Sequence, residues 1–223
     1  MSLKLFFEAI IKFSLGVLLV GLFVFLPVGT LQYLNGWIFM ATLFIPMFIA
    51  GLVMLAKNPT LLQERLQAKE KRKTQDMVVK ISGLMFIAGF VLSGLNFRFQ
   101  WYTLPKLVSI IACIFFLFSY VLYAEVLREN TYLSRTIKVS EGQKVVDTGL
   151  YGIVRHPMYM ATLILFFSIP LILGSLYATI VFLIYPILIA KRIQDEEKLL
   201  EVELKGYTEY KKKVKYRLIP FIW

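Results

Sequence analysis

Gly36–Ala56 reads GWIFMATLFIPMFIAGLVMLA. No charged side chain interrupts it, and its one hydroxyl is Thr42. A helix that spans a bilayer needs roughly 20 mostly apolar residues, and this stretch supplies them. Similar runs lie on either side at Phe13–Val28, Ile81–Phe97 and Leu104–Leu127. A further apolar stretch, Met158–Ala190, is broken by Pro170 and by Gly174-Ser175, so it reads as a helical hairpin of two short spans. The fold expected is all-α: a multi-spanning integral membrane helical bundle of about four spans plus a C-terminal helical hairpin, with a cytosolic loop and tail.

Composition agrees. Of 223 residues, 58% are hydrophobic, and the mean hydropathy is +0.70. A soluble domain of this size has too little interior for that much apolar side chain. Lys4 and Lys12 precede the first apolar run, as in a signal peptide. No small-residue cleavage site follows, and Pro27 leads to a second span, so an uncleaved first span is expected. The single cysteine, Cys113, lies inside a span, permits no disulfide within the chain, and reads as a small buried hydrophobe.

The net charge of +11 is unevenly placed. Pro27–Asn35 holds no Lys or Arg. Lys57–Lys80 holds seven: Lys57, Arg65, Lys69, Lys71, Arg72, Lys73 and Lys80. Arg98–Lys106 holds only its two end residues, and the chain after Leu127 is basic again outside the hairpin. Cytosolic loops carry the excess of Lys and Arg. Both termini, the Lys57–Lys80 loop and Arg128–Arg155 are therefore expected on the cytosolic side. Lys71-Arg72-Lys73 and Lys211-Lys212-Lys213 read as charge for anionic membrane lipids. No aromatic-interleaved motif or zinc spacing accompanies them, so neither nucleic acid nor a bound metal is expected.

Two parts are expected: N-terminal transmembrane helices over 1–127, and a C-terminal segment over 128–223. In the first, polar span residues such as Thr42, Ser93, Ser109 and Ser119 can bond back to their own helices. Glu8 and Lys12 are four apart and suit a helix pair. In the second, Arg128–Pro157 mixes charge, hydroxyl, Gly and β-branched residues without a spanning run. Long irregular segments of this kind tend to be functional, so a loop folded over the helix ends is expected. After Ala190 the last helix runs on into Lys191–Leu200, with Leu199, Leu200 and Leu204 facing inward and Gly206 ending it. Tyr207, Tyr210, Tyr216, Phe221 and Trp223 in the tail read as interfacial anchors.

Tyr151-Gly152-Ile153-Val154-Arg155-His156-Pro157-Met158-Tyr159 carries the only histidine of the chain, beside an arginine, at the mouth of the hairpin. Pro157 suits the first turn of a helix. The amide donors of that helix start, with Arg155, form a natural seat for an anionic group. Glu196-Glu197 stand at the inner end of the last span, where carboxylates can meet cations or sugar hydroxyls. Arg192 and Glu196, four apart, suit an ordinary helix pair.

Thr148-Gly149-Leu150-Tyr151, Arg155-His156-Pro157-Met158-Tyr159, Glu196-Glu197 and Tyr207-Thr208-Glu209-Tyr210, in that order, resemble the isoprenylcysteine carboxyl methyltransferase family and, more widely, the phospholipid N-methyltransferases. The resemblance covers about Asn130 to Trp223. It implies a membrane enzyme that binds S-adenosylmethionine at the cytosolic face and methylates a lipophilic small molecule or lipidated substrate. Cofactor contacts are implied for Tyr151, His156, Pro157, Met158, Tyr159, Glu196 and Glu197, with Gln143, Val145 and Val146 from a second matching stretch. Arg192 is implied on the substrate side as the catalytic residue. Ala161 stands where the family often has glycine, and Gln143 where its eukaryotic carboxyl methyltransferases have histidine. The membrane steroid and sterol reductases, which use NADPH, share a tail resembling Arg217-Leu218-Ile219-Pro220-Phe221 and form the alternative.

Overall fold

In hydrocarbon every backbone N–H and C=O must be satisfied within the protein, so apolar runs of this length fold as helices. The computed structural model describes residues 3–67, 73–130, 132, 139 and 141–223. Its helices are α1 (Leu3–Val28), α2 (Leu34–Lys57), α3 (Pro59–Gln67), α4 (Lys73–Arg98), α5 (Lys106–Glu129), α6 (Pro157–Ile172), α7 (Leu176–Phe182), α8 (Ile184–Glu203) and α9 (Tyr207–Lys213). A 3₁₀ turn occupies Gly149–Gly152. Five segments are long and apolar enough to cross a membrane: Leu3–Val28, Leu34–Lys57, Gln75–Arg98, Lys106–Glu129 and Leu176–Glu203. The chain is an integral membrane protein with the all-helical bundle expected.

The hairpin differs from expectation in two respects: its second arm, Leu176–Glu203, is long enough to cross a membrane and is not a short span, and the break falls at one place only. Pro170 does not break α6. The reversal comes at Gly174, whose φ of 72° suits glycine, and Ser175 then caps α7 by accepting a hydrogen bond from the Ala178 N–H at 3.2 Å. With 16 residues, α6 is about 24 Å long, shorter than the roughly 30 Å hydrocarbon core. The Lys57–Lys80 connection is not a plain loop but contains α3. Asn58 and Pro59 start it: the Asn58 side chain accepts from the Leu61 N–H at 3.1 Å. Lys69, Lys71 and Arg72, and Ser134 and Thr136 of the polar stretch, lie outside the described residues. α8 ends at Glu203, before Gly206, which instead turns the chain into α9.

The core is aromatic. Phe39 packs on Phe90 and Phe116, and Phe86 on Phe166 and Phe182. Gly89 allows this approach, since a Cβ there would stand 2.4 Å from the Phe182 ring. Thr42, Ser93 and Ser119 bond back to their own helices as expected, to the carbonyls of Ile38, Gly89 and Phe116. Ser109 does not. It reaches from α5 to the Leu171 carbonyl of α6 at 3.0 Å, while Tyr33 donates to the Leu173 carbonyl. Carbonyls in the last turn of a helix lack intrahelical partners, so the end of α6 draws these hydroxyls across. Glu8 and Lys12 pair at 2.6 Å.

Candidate functional site

Pro157 is the first residue of α6 and sets where that helix begins. Tyr159 follows within its first turn and meets α8. Arg192, Glu196, Leu200 and Leu204 recur every four residues, so they line one face of α8 and its end. The Tyr159 hydroxyl stands between the two charged members of that face. It accepts from Arg192 Nε at 2.9 Å and donates to Glu196 Oε2 at 2.6 Å. The expected Arg192–Glu196 helix pair is thus bridged by a residue 33 positions upstream of Arg192. The His156 ring lies 5.8 Å from the Tyr159 ring at an interplanar angle of 28°.

Glu197, one position further, turns away from that face and is 3% exposed. It accepts from Arg155 Nε at 2.7 Å and Arg217 Nε at 2.9 Å, and lies 3.2 Å from His156 Nε2. Arg155 also donates to the Val214 and Lys215 carbonyls at 2.7 and 2.8 Å. The Arg155 and His156 amides donate to the Tyr216 and Arg217 carbonyls, each at 2.9 Å. A buried carboxylate is tolerable only with such a set of partners. The cluster ties the C-terminal tail onto the Arg-His-Pro segment. Arg155 is therefore not the open anion seat expected from sequence, because its guanidinium is committed to Glu197 and the tail.

The 3₁₀ turn forms another wall. Glu129, the last residue of α5, accepts from the Leu150 N–H at 3.0 Å. Gly149 has φ +50°, which favours glycine, and a Cβ there would fall 1.3 Å from Glu129 Oε1, so a side chain would push that carboxylate off the turn. Tyr151 is held at both ends: Asn130 Nδ2 donates to its hydroxyl at 3.0 Å, and Tyr210 donates to its carbonyl at 2.7 Å. Burial pushes the Tyr151 phenol up to about 12, against the lowering effect of the Asn130 hydrogen bond.

These walls border an open cleft. Tyr151, His156, Met158 and Tyr159 line it from the motif. Arg192, Glu196, Leu200 and Leu204 line it from α8, and Gln143, Lys144, Val145 and Val146 from the loop. Tyr207 and Tyr210 close it from the tail. Of the residues singled out from sequence, Pro157 and Glu197 are not on the lining: Pro157 is packed in the helix start, and Glu197 faces the cations. Leu199, expected to face inward with Leu200 and Leu204, is not on it either.

Sequence reading missed Asn130, Tyr132, Tyr207 and Tyr210 as cleft residues. The tail tyrosines are buried, not interfacial anchors, because α9 folds back over Tyr151. The Tyr207 hydroxyl is buried with no hydrogen-bond partner among the described residues. Its proton is held firmly, first by burial and then by the nearby Glu197 charge. An unpaired buried hydroxyl is costly, and one on a cleft wall suits a polar ligand.

Residues 103–202 match the isoprenylcysteine carboxyl methyltransferase (ICMT) family, as the sequence resemblance implied. A curated relative is the Delta(14)-sterol reductase of Mus musculus, 34% identical over 91 residues, which are 40% of this chain and 22% of that protein. The chain thus spans about a fifth of that relative's length.

Proposed function

From the match of residues 103–202 to the isoprenylcysteine carboxyl methyltransferases, we infer that the chain is a membrane methyltransferase that binds S-adenosylmethionine in the cleft and methylates the carboxylate of a lipophilic substrate. The observation that carries this reading is the convergence of Tyr159, Arg192 and Glu196 at one point of the cleft wall. On this reading residues 128–223 form the cofactor-binding part. The cleft faces the cytosol with both termini, in keeping with the Lys and Arg excess there.

The lining suits the cofactor. It combines a carboxylate, cations, tyrosine rings, apolar Leu200 and Leu204, and the Tyr207 hydroxyl, which has no partner among the described residues. Bound there, S-adenosylmethionine supplies an electrophilic methyl group on a sulfonium. Glu196 accepts hydrogen bonds from sugar hydroxyls, and Tyr151 and Tyr159 offer ring faces to a cation. Arg192 orients the acceptor carboxylate, which is ionised at neutral pH and needs no base. Tyr159 fixes Arg192 relative to Glu196, so the cofactor and acceptor sides keep one geometry.

Incubating the membrane-embedded protein with methyl-labelled S-adenosylmethionine and candidate acceptors tests the reading. The expected product is a base-labile methyl ester. Base-stable label would favour phospholipid N-methylation, for which Glu196 is the carboxylate on the cleft lining able to take a proton. In calorimetry Glu196→Ala is expected to weaken S-adenosylmethionine binding by about 10-fold or more. Unchanged affinity would remove Glu196 from the site. The similarity to a sterol reductase supports a second reading, an NADPH-dependent reductase, in which NADPH binds and S-adenosylmethionine does not.

A further inference from the structure

Two grooves outside the cleft meet at Trp223. The first, about 910 Å³, is basic and runs past Lys211, Lys212, Lys215, Arg217, Ile222 and Trp223. Its charges are unequal. Lys211 pairs with Glu201, and Arg217 with Glu197. Lys212 and Lys215 are exposed and meet no carboxylate among the described residues. The second groove, about 1120 Å³, lies between α6, α8 and the tail, and its lining side chains are all apolar, Phe167, Pro186, Ile187 and Leu218 among them. Trp223 is a wall of both.

The tail presents an apolar edge at the same place. Ile219, Phe221 and Ile222 are 41%, 87% and 77% exposed. They sit on a tight turn held by the Leu218 and Ile219 amides, which donate to the Trp223 carbonyl at 2.8 and 3.0 Å. Phe221 takes a φ of 65°, unusual for a side chain of that size. Exposed aromatics beside unpaired lysines fit a membrane interface, where the apolar part enters the acyl region and the charge meets headgroups. A basic groove and an apolar groove on the wall of two helices lie side by side with Trp223 common to both, which is the polarity pattern of one anionic amphiphile.

We propose that these adjoining grooves bind one anionic phospholipid, with its phosphate between Lys212 and Lys215 and an acyl chain along Phe167, Pro186 and Ile187. Arg155 borders both the basic groove and the cleft, and it bonds to the tail carbonyls of Val214 and Lys215. Bound lipid therefore holds the tail against the segment that carries His156 and Tyr159. The site is separate from the methyl-acceptor site, and its test requires no turnover.

The test is native mass spectrometry of the full chain in neutral detergent, titrated with phosphatidylglycerol, with phosphatidylcholine of the same chains, and with inorganic phosphate. One phosphatidylglycerol is expected to be retained, phosphatidylcholine to bind more weakly, and phosphate alone to leave no adduct. Each lysine at an anionic surface contributes about fivefold, so Lys212→Ala with Lys215→Ala is expected to weaken phosphatidylglycerol about 25-fold. Ile187 faces outward at 69% exposure, and Ile187→Trp is expected to narrow the apolar groove and weaken both lipids. Equal affinity for the two lipids, or no effect of the lysine substitutions, overturns the proposal. Phosphate adducts together with lipid binding indifferent to Ile187→Trp overturn it as well, leaving only an anion site.

Discussion

Replacing Glu197 by glutamine removes one charge from a pocket that holds two guanidiniums and an imidazole. The cost is worked from the contacts. Glu197 accepts from Arg155 at 2.7 Å and Arg217 at 2.9 Å, with His156 at 3.2 Å. The Arg155 side chain is 4% exposed, so it cannot exchange the carboxylate for water, whereas Arg217 at 29% can do so in part. Breaking a buried pair from one side costs about 3–5 kcal/mol. Arg155 keeps its bonds to the Val214 and Lys215 carbonyls, which places the cost near the lower end, about 3 kcal/mol. That corresponds to about a hundredfold more frequent release of the tail. The Arg155 and His156 amides report it directly, since they donate to the Tyr216 and Arg217 carbonyls. Hydrogen exchange of a peptide containing residues 155 and 156 should accelerate by that factor in Glu197→Gln, while exchange within α2 stays as it was. Unchanged protection of the two amides would refute the claim that Glu197 holds the tail in place.

Tyr207→Phe removes a buried hydroxyl that has no partner among the described residues, so thermal stability should hold or rise slightly while affinity for the cleft ligand falls; a marked fall in melting temperature would contradict this. Gly149→Ala puts a methyl group onto Glu129 and adds the strain of a positive φ, together about 1–2 kcal/mol or more, seen as a lower melting temperature. An alanine protein with wild-type stability would contradict the close fit. The hydrogen bond from Lys213 at 2.7 Å holds the Asp147 carboxyl below its ordinary value. Its folded pKa is thus the lower one, so its contribution is present above about pH 4 and fades as the pH falls further. An NMR titration should show the Asp147 pKa rising in Lys213→Gln.

The spans were legible because hydrocarbon leaves an apolar run little choice but helix. The reversal at Gly174-Ser175 was legible for the same reason, as a break in such a run. Pro170 misled because a membrane helix can keep an internal proline: it removes a single backbone hydrogen bond, the one to the carbonyl four residues back, and α6 runs on to Ile172. Within the cleft, the recurrence of Arg192, Glu196, Leu200 and Leu204 every four residues was visible in the sequence. The separation of Glu196 from Glu197 was not. Adjacent residues on a helix point about 100° apart, and which of the two meets a buried arginine depends on chain 42 positions away. The same holds for Tyr207 and Tyr210. An aromatic, basic tail has the composition of an interfacial anchor, and only the path of α9 over Tyr151 makes it a wall of the site.

Paired calorimetric titrations of the purified protein with S-adenosylmethionine and with NADPH reach the central claim most directly. Saturable binding of the methyl donor at one equivalent per chain, indifferent to added NADPH, is the predicted outcome. Heat from NADPH alone, with none from S-adenosylmethionine, would contradict it and turn the cleft over to reductase chemistry.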